Sequence, residues 1–231
     1  MQATSRPNNY TYFNIITALC TTFLLLGLVL QSRLISIGPT YISGTVFVYP
    51  LSCFLLDLIA EVYGYQYARQ VLWATIIANI IFASVVAIII KLSFPGFWST
   101  YSNEFDLAMA PIFRTMSFGM ISIVVGQFIN IYAISKFRVL TKGKYFALRS
   151  VSSTMIGEII TALIALIGIF SKRMPADDIF VIMLTELGIM FILALIWSIP
   201  GTFIVKVLQK LEPNRTENEK ININPFVFKV Q

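Results

Sequence analysis

Residues 45–63 read TVFVYPLSCFLLDLIAEVY, an apolar run of bilayer length interrupted by two carboxylates. A helix that crosses a hydrocarbon core needs about 20 mostly apolar residues. Between Val46 and Ile59 the run holds nine Leu, Ile, Phe and Val residues, together worth roughly 3–5 kcal/mol of insertion free energy. One Asp near the centre costs about 2.5–3.5 kcal/mol, so Asp57 cancels most of what its own helix contributes. Such a residue persists where it faces protein or water, and it marks a candidate functional position. Asp57 and Glu61 stand four residues apart on one helix face, with Pro50 and Phe54 on the same stripe and Gly64 continuing it. Like charges at that spacing repel. A cation, a proton or hydrogen-bond donors are therefore expected between them. A blander partner for Glu61 is Arg69, in the loop beyond the run.

The rest of the chain repeats the apolar theme. Of 231 residues, 57% are hydrophobic and 12% charged, with mean hydropathy +0.80, whereas a soluble domain has about a quarter of its residues charged. The surplus must face lipid. Six segments reach or approach spanning length, at 14–30, 45–63, 71–91, 110–135, 148–170 and 179–208. Lipid cannot satisfy backbone polar groups, so helices are expected. The fold class is an all-α, polytopic integral membrane protein with six transmembrane helices. It divides into an N-terminal cytoplasmic stretch 1–13, a transmembrane transporter domain 14–211 and a flexible cytoplasmic tail 212–231. No small-x-small cleavage site separates the first segment from Arg33, so it is read as retained. Two three-helix halves related by inversion are a common carrier plan, though the residues display no such symmetry.

The loops supply orientation. Twelve of the 17 Lys and Arg residues fall outside the spans on the side of the N-terminus, including Arg69, Lys136, Arg138, Lys142, Lys144 and Arg149. Five fall on the other side, at Arg33, Lys91, Arg114, Lys172 and Arg173. The positive-inside rule then puts both termini in the cytoplasm. The net charge of +6 is spread over these loops rather than one face, so no nucleic-acid partner is implied. Histidine is absent, which removes His proton relays, HExxH zinc sites and Ser–His dyads. Cys20 and Cys53 sit in apolar runs without metal or redox spacing and read as packing residues. No catalytic residue, metal site or cofactor is expected, and the chain is not read as an enzyme.

The remaining candidates are polar residues at membrane depth. Glu158 lies far from either end of the fifth segment, on a face with Thr154, Thr161, Ala162 and Ala165; Glu186 lies within the sixth. Ser122, Gly126 and Asn130 form a stripe on the fourth segment, with Gln127 beside it; small residues and amides serve either helix packing or ligand contact. Phe47, Tyr49 and Phe54 are placed to stack on a flat ring or to pack. Phe94, Phe97, Trp98 and Tyr101 suit an interfacial belt. Four acids and no base at membrane depth favour a cationic or donor-rich solute.

The run Phe47-Val48-Tyr49-Pro50, then Asp57-x-x-x-Glu61-x-Tyr63-Gly64, then Ala68-Arg69, resembles the signature of the queuosine-precursor transporter family, also called the vitamin uptake transporter family. Gly126-Gln127 and Ser153-Thr154-x-x-Gly157 resemble its other two motifs, and the likeness covers roughly residues 12–211. The resemblance implies uptake of 7-deazaguanine bases, possibly queuine, across a bacterial inner (plasma) membrane. The implied substrate-binding set is Phe54, Asp57, Glu61, Gln127, Asn130, Thr154, Glu158 and Glu186. A guanine-like edge offers an N–H and an amino group that a carboxylate accepts as a pair, which suits Asp57 or Glu158, with Gln127 or Asn130 reading a carbonyl or ring nitrogen. The chain departs from the family pattern at Asn130 and Thr161, where acids are common, at Met190, where a lysine is common, and at Glu158, where an amide is usual. Expected partners are a purine-like small molecule and the lipid bilayer, with a homo-oligomer or an ATPase subunit as further candidates. The alternative function is the solute-binding membrane subunit of an energy-coupling-factor system.

Overall fold

The computed structural model describes residues 11–38 and 40–212. The expected tail beyond residue 212 and most of the N-terminal stretch lie outside the described residues. Among the described residues, seven α-helices run α1 (Thr11–Leu30), α2 (Tyr49–Val62), α3 (Tyr65–Ile89), α4 (Ser99–Met109), α5 (Ile112–Leu140), α6 (Phe146–Phe170) and α7 (Ala176–Leu211). Five helical stretches are long and apolar enough to cross a membrane: α1, α3, the stretch containing α4 and α5, α6, and α7.

The segment that opened the sequence reading is the one that departs from it. Residues 45–63 do not form one uninterrupted spanning helix. Pro50 stands in the first turn of α2, where its missing N–H costs nothing. The residues before it, Gly44–Phe47, wind as a 3₁₀ turn. At about 1.5 Å per residue α2 is roughly 21 Å long, and the 3₁₀ turn adds about 8 Å. Together they approach the ~30 Å hydrocarbon core, but only as a bent passage. This helix packs against α1, α3, α5, α6 and α7, and among its residues only Leu51 is not buried. Encased in this way, α2 escapes the lipid penalty that its two acids would otherwise incur.

A β-hairpin absent from the sequence reading joins α1 to this passage. Strands β1 (Leu34–Ile37) and β2 (Thr40–Ser43) pair antiparallel, Leu34 opposite Ser43 and Ile37 opposite Thr40. The turn at Gly38 takes φ +57°, which glycine adopts without steric cost. Strand β2 packs on α7. At the other end of α2, Gly64 (φ +96°) makes the sharp reversal into α3, as the Tyr63-Gly64-Tyr65 sequence predicts. The residues following α3 form the exposed belt, with Phe94, Phe97, Trp98 and Tyr101 all solvent- or lipid-facing. They lead into α4, which has no buried residue.

Helices α5 and α6 approach each other closely at a pair of glycines. A Cβ added at Gly126 would sit 1.9 Å from Thr161 Oγ1 and 2.8 Å from the Gly157 carbonyl; one at Gly157 would sit 2.7 Å from the Gly126 carbonyl. Small residues let the two backbones touch. The basic loops gather at one end. There the Tyr12 amide donates to Glu212 Oε1 at 3.1 Å and the Tyr63 hydroxyl donates to the same carboxylate. The ends of α1, α2 and α7 are thereby joined at the face where α5 turns into α6.

Candidate functional site

Tyr49, Cys53, Asp57 and Glu61 recur every fourth residue along α2 and so form one stripe. The structure aims this stripe at α5 and α6. At its lower end, Glu61 takes a bidentate ion pair from Arg149 (Nη1 to Oε2 2.7 Å, Nη2 to Oε1 3.0 Å). Arg138 Nε stands 3.7 Å from Oε1. Arg149, 2% exposed, also donates to the carbonyls of Lys144 (2.9 Å) and Gly143 (3.3 Å). It thereby ties down a turn in which Lys142, Gly143 and Tyr145 all have positive φ. The proposed pairing of Glu61 with Arg69 gives way to this one. Arg69 and Arg149 are both buried within the protein, in the first turns of α3 and α6. Their sequence positions, at the ends of apolar runs, disguised them as loop charges.

One turn further, Asp57 is 0% exposed and is filled by protein donors. Asn130 Nδ2 donates to Oδ1 at 3.0 Å, while Ser150 Oγ (2.5 Å) and Thr154 Oγ1 (3.2 Å) donate to Oδ2. These side chains come from α5 and α6, beside the Gly126–Gly157 contact. A buried carboxylate with three donors is stable where it stands. Next along the stripe, Gln127 Nε2 donates to the Tyr49 hydroxyl (2.5 Å) and to Cys53 Sγ (3.1 Å), and Cys53 Sγ donates to Glu158 Oε1 at 3.5 Å.

Beyond Glu158 the packing opens. A cavity of about 70 Å³ lies between α1, α3, α5, α6 and α7, bordered by Glu158, Glu186, Tyr49, Asn79 and Gln31, with Thr161, Ala162 and Ala165 from the predicted face of α6. Such a space is ample for ordered water beside the polar side chains. Its wall is mostly apolar. Glu186 Oε1 accepts the Ser43 amide at 2.7 Å, which pins the hairpin over the cavity. Asn79 and Thr115 border the same cavity, and their buried Oδ1 and Oγ1 atoms have no hydrogen-bond partner among the described residues. Unmatched polar atoms around an apolar chamber with two carboxylates are the mark of a binding site.

The eight candidate residues therefore divide. Glu158 and Glu186 border the cavity; Asp57, Glu61, Gln127, Asn130 and Thr154 belong to the packed stripe, Gln127 touching the cavity residue Tyr49. Phe54 faces neither. Its ring stacks on Trp197 at 5.8 Å, and the Cβ that Gly201 lacks would meet it at 2.5 Å. Phe47 is exposed. The sequence reading missed Asn79, Ser43, Gln31 and Thr115. Asn79 had a signal, a lone amide in the apolar run 71–90; Gln31, Ser43 and Thr115 lie near helix ends, where polar residues are common. Among the described residues no group of His, Cys, Asp and Glu is arranged to hold a metal.

A family model described as "Putative vitamin uptake transporter" matches residues 43–205, more than half of the chain. The chain belongs to that family. The vitamin uptake transporter match begins at Ser43, beside the hairpin contact to Glu186, and takes in both the stripe on α2 and the carboxylates of the cavity. It is a family of membrane transporters, in keeping with the apolar helices. No curated protein and no solved structure matches the chain.

Proposed function

We propose that this vitamin uptake transporter imports a queuosine precursor, a 7-deazaguanine-type base, across the bacterial inner membrane through six passes with both termini in the cytoplasm. The observation that carries the reading is the cavity bordered by Glu158 and Glu186, with unpartnered polar atoms on its other walls. A guanine-type edge presents adjacent N–H and amino donors, which one carboxylate accepts together. A carboxylate at Glu158 rather than an amide favours a donor-rich or cationic base. With the termini inside, the cavity lies in the outer half and the Glu61–Arg149 pair seals the inner half. Transport then requires that pair and the α5–α6 turn to part while the hairpin side closes, as alternating access demands.

Complementation tests this directly. Cells unable to make deazaguanines receive the chain and one precursor at a time, and the tRNA modification is read. Modification is expected with at least one precursor and is expected to vanish with Glu158→Gln. A blank with every precursor, from protein shown to reach the membrane, removes the substrate assignment.

A further inference from the structure

The cavity has a second polar wall that the carboxylates do not account for. Asn79 on α3 is 2% exposed, and its Nδ2 donates to the Thr75 carbonyl at 2.9 Å. A carbonyl can only accept, so this bond fixes which end of the amide faces the helix. Oδ1 is buried without a hydrogen-bond partner among the described residues, and Asn79 borders the cavity. Thr115 on α5 borders the same cavity, and its buried hydroxyl also has no partner among the described residues. Glu158 and Glu186 come from α6 and α7, which pack on each other, whereas α3 packs on α1, α2 and α5. Asn79, Glu158 and Glu186 all border the one cavity. A solute held by the carboxylates therefore shares that cavity with Asn79.

We propose that Asn79 is a specificity-determining residue whose Oδ1 accepts the pyrrole N–H of the bicyclic base held at its pyrimidine edge by Glu158, so that the site takes the free base and rejects its N-glycoside. The inference rests on the deazaguanine reading above. A 7-deazaguanine carries donors at two ends, a paired N–H and amine on the six-membered ring and a single pyrrole N–H on the five-membered ring. A carboxylate matches the pair, and one amide oxygen matches the single donor. An N-substituent removes that donor and leaves the amide oxygen buried without a partner, which is the kind of mismatch that polar sites reject strongly.

The test is equilibrium binding to the full-length chain in lipid nanodiscs, with 7-deazaguanine and its pyrrole-N-methyl analogue as probes. For the unaltered chain, methylation is expected to weaken binding about tenfold or more. Asn79→Leu is expected to weaken the parent base and bring the ratio of the two affinities close to one. Asn79→Ala serves the same purpose where the leucine variant does not fold. Asn79→Asp, which keeps an acceptor oxygen, is expected to retain the discrimination. A purely structural role for Asn79 would lower both affinities together and leave their ratio unchanged, and that result overturns the inference while the deazaguanine reading stands. Failure of both probes to bind the unaltered chain overturns the deazaguanine reading and this inference with it.

Discussion

Two pairs of acids sit within a few helical turns of each other and have opposite surroundings. Asp57 and Glu61 are saturated by the protein itself, the first by Asn130, Ser150 and Thr154, the second by Arg149 and Arg138. Glu158 and Glu186 border an apolar chamber with the buried Asn79 Oδ1 and Thr115 Oγ1, which lack partners among the described residues. The difference teaches that depth in the membrane is not enough to nominate a binding acid. Glu158 and Glu186 also accept protein hydrogen bonds, from Cys53 and the Ser43 amide, but unlike the first pair they border the cavity. In the proposed function, the packed pair holds the inner half together and the cavity pair is left for recognition.

That contrast can be broken at several points. The largest effect is expected at the helix contact beneath both pairs. Gly126→Leu drives a side chain into Thr161 and the Gly157 carbonyl, and its cost is expected to exceed about 3 kcal/mol. Little or no monodisperse protein should survive detergent extraction. Next comes the ion pair. Arg149→Met leaves the Glu61 charge buried opposite only the more distant Arg138, with an expected loss of about 3–5 kcal/mol seen as a lower unfolding midpoint in detergent. The double replacement Glu61→Leu with Arg149→Met removes both charges and is expected to recover most of the stability, but it should alter transport if parting of the pair is a step in the cycle. The smallest effect belongs to Phe54→Leu. With the ring stacked on Trp197 and away from the cavity, the change is expected to cost about 1 kcal/mol and to leave precursor uptake at its original rate.

Much of this architecture was legible in the residues. Apolar length located α1, α3, α5, α6 and α7, and the second apolar run ends at Tyr63 as expected. The acids singled out at 57, 61, 158 and 186 are all buried. What the sequence could not supply was which acid each donor would reach. Arg149 lies 88 positions from Glu61 and Asn130 lies 73 from Asp57, separations at which helical periodicity says nothing. The bent start of the second passage was also hidden, because Pro50 is equally at home in the first turn of a short helix and beside a kink in a long one. The hairpin at Leu34–Ser43 escaped notice because two four-residue strands look like any loop between spans. Asn79 was the one available clue left unused.

The central claim is that Glu158, and not Asp57, grips the solute. It is tested most directly by measuring binding of a radiolabelled deazaguanine precursor to purified Glu158→Gln and Asp57→Asn in nanodiscs, alongside their unfolding midpoints. The account predicts that Glu158→Gln loses about 10- to 100-fold in affinity with its midpoint little changed, whereas Asp57→Asn keeps its affinity within about threefold and unfolds at a lower temperature. Loss of binding in Asp57→Asn together with normal binding in Glu158→Gln would contradict it.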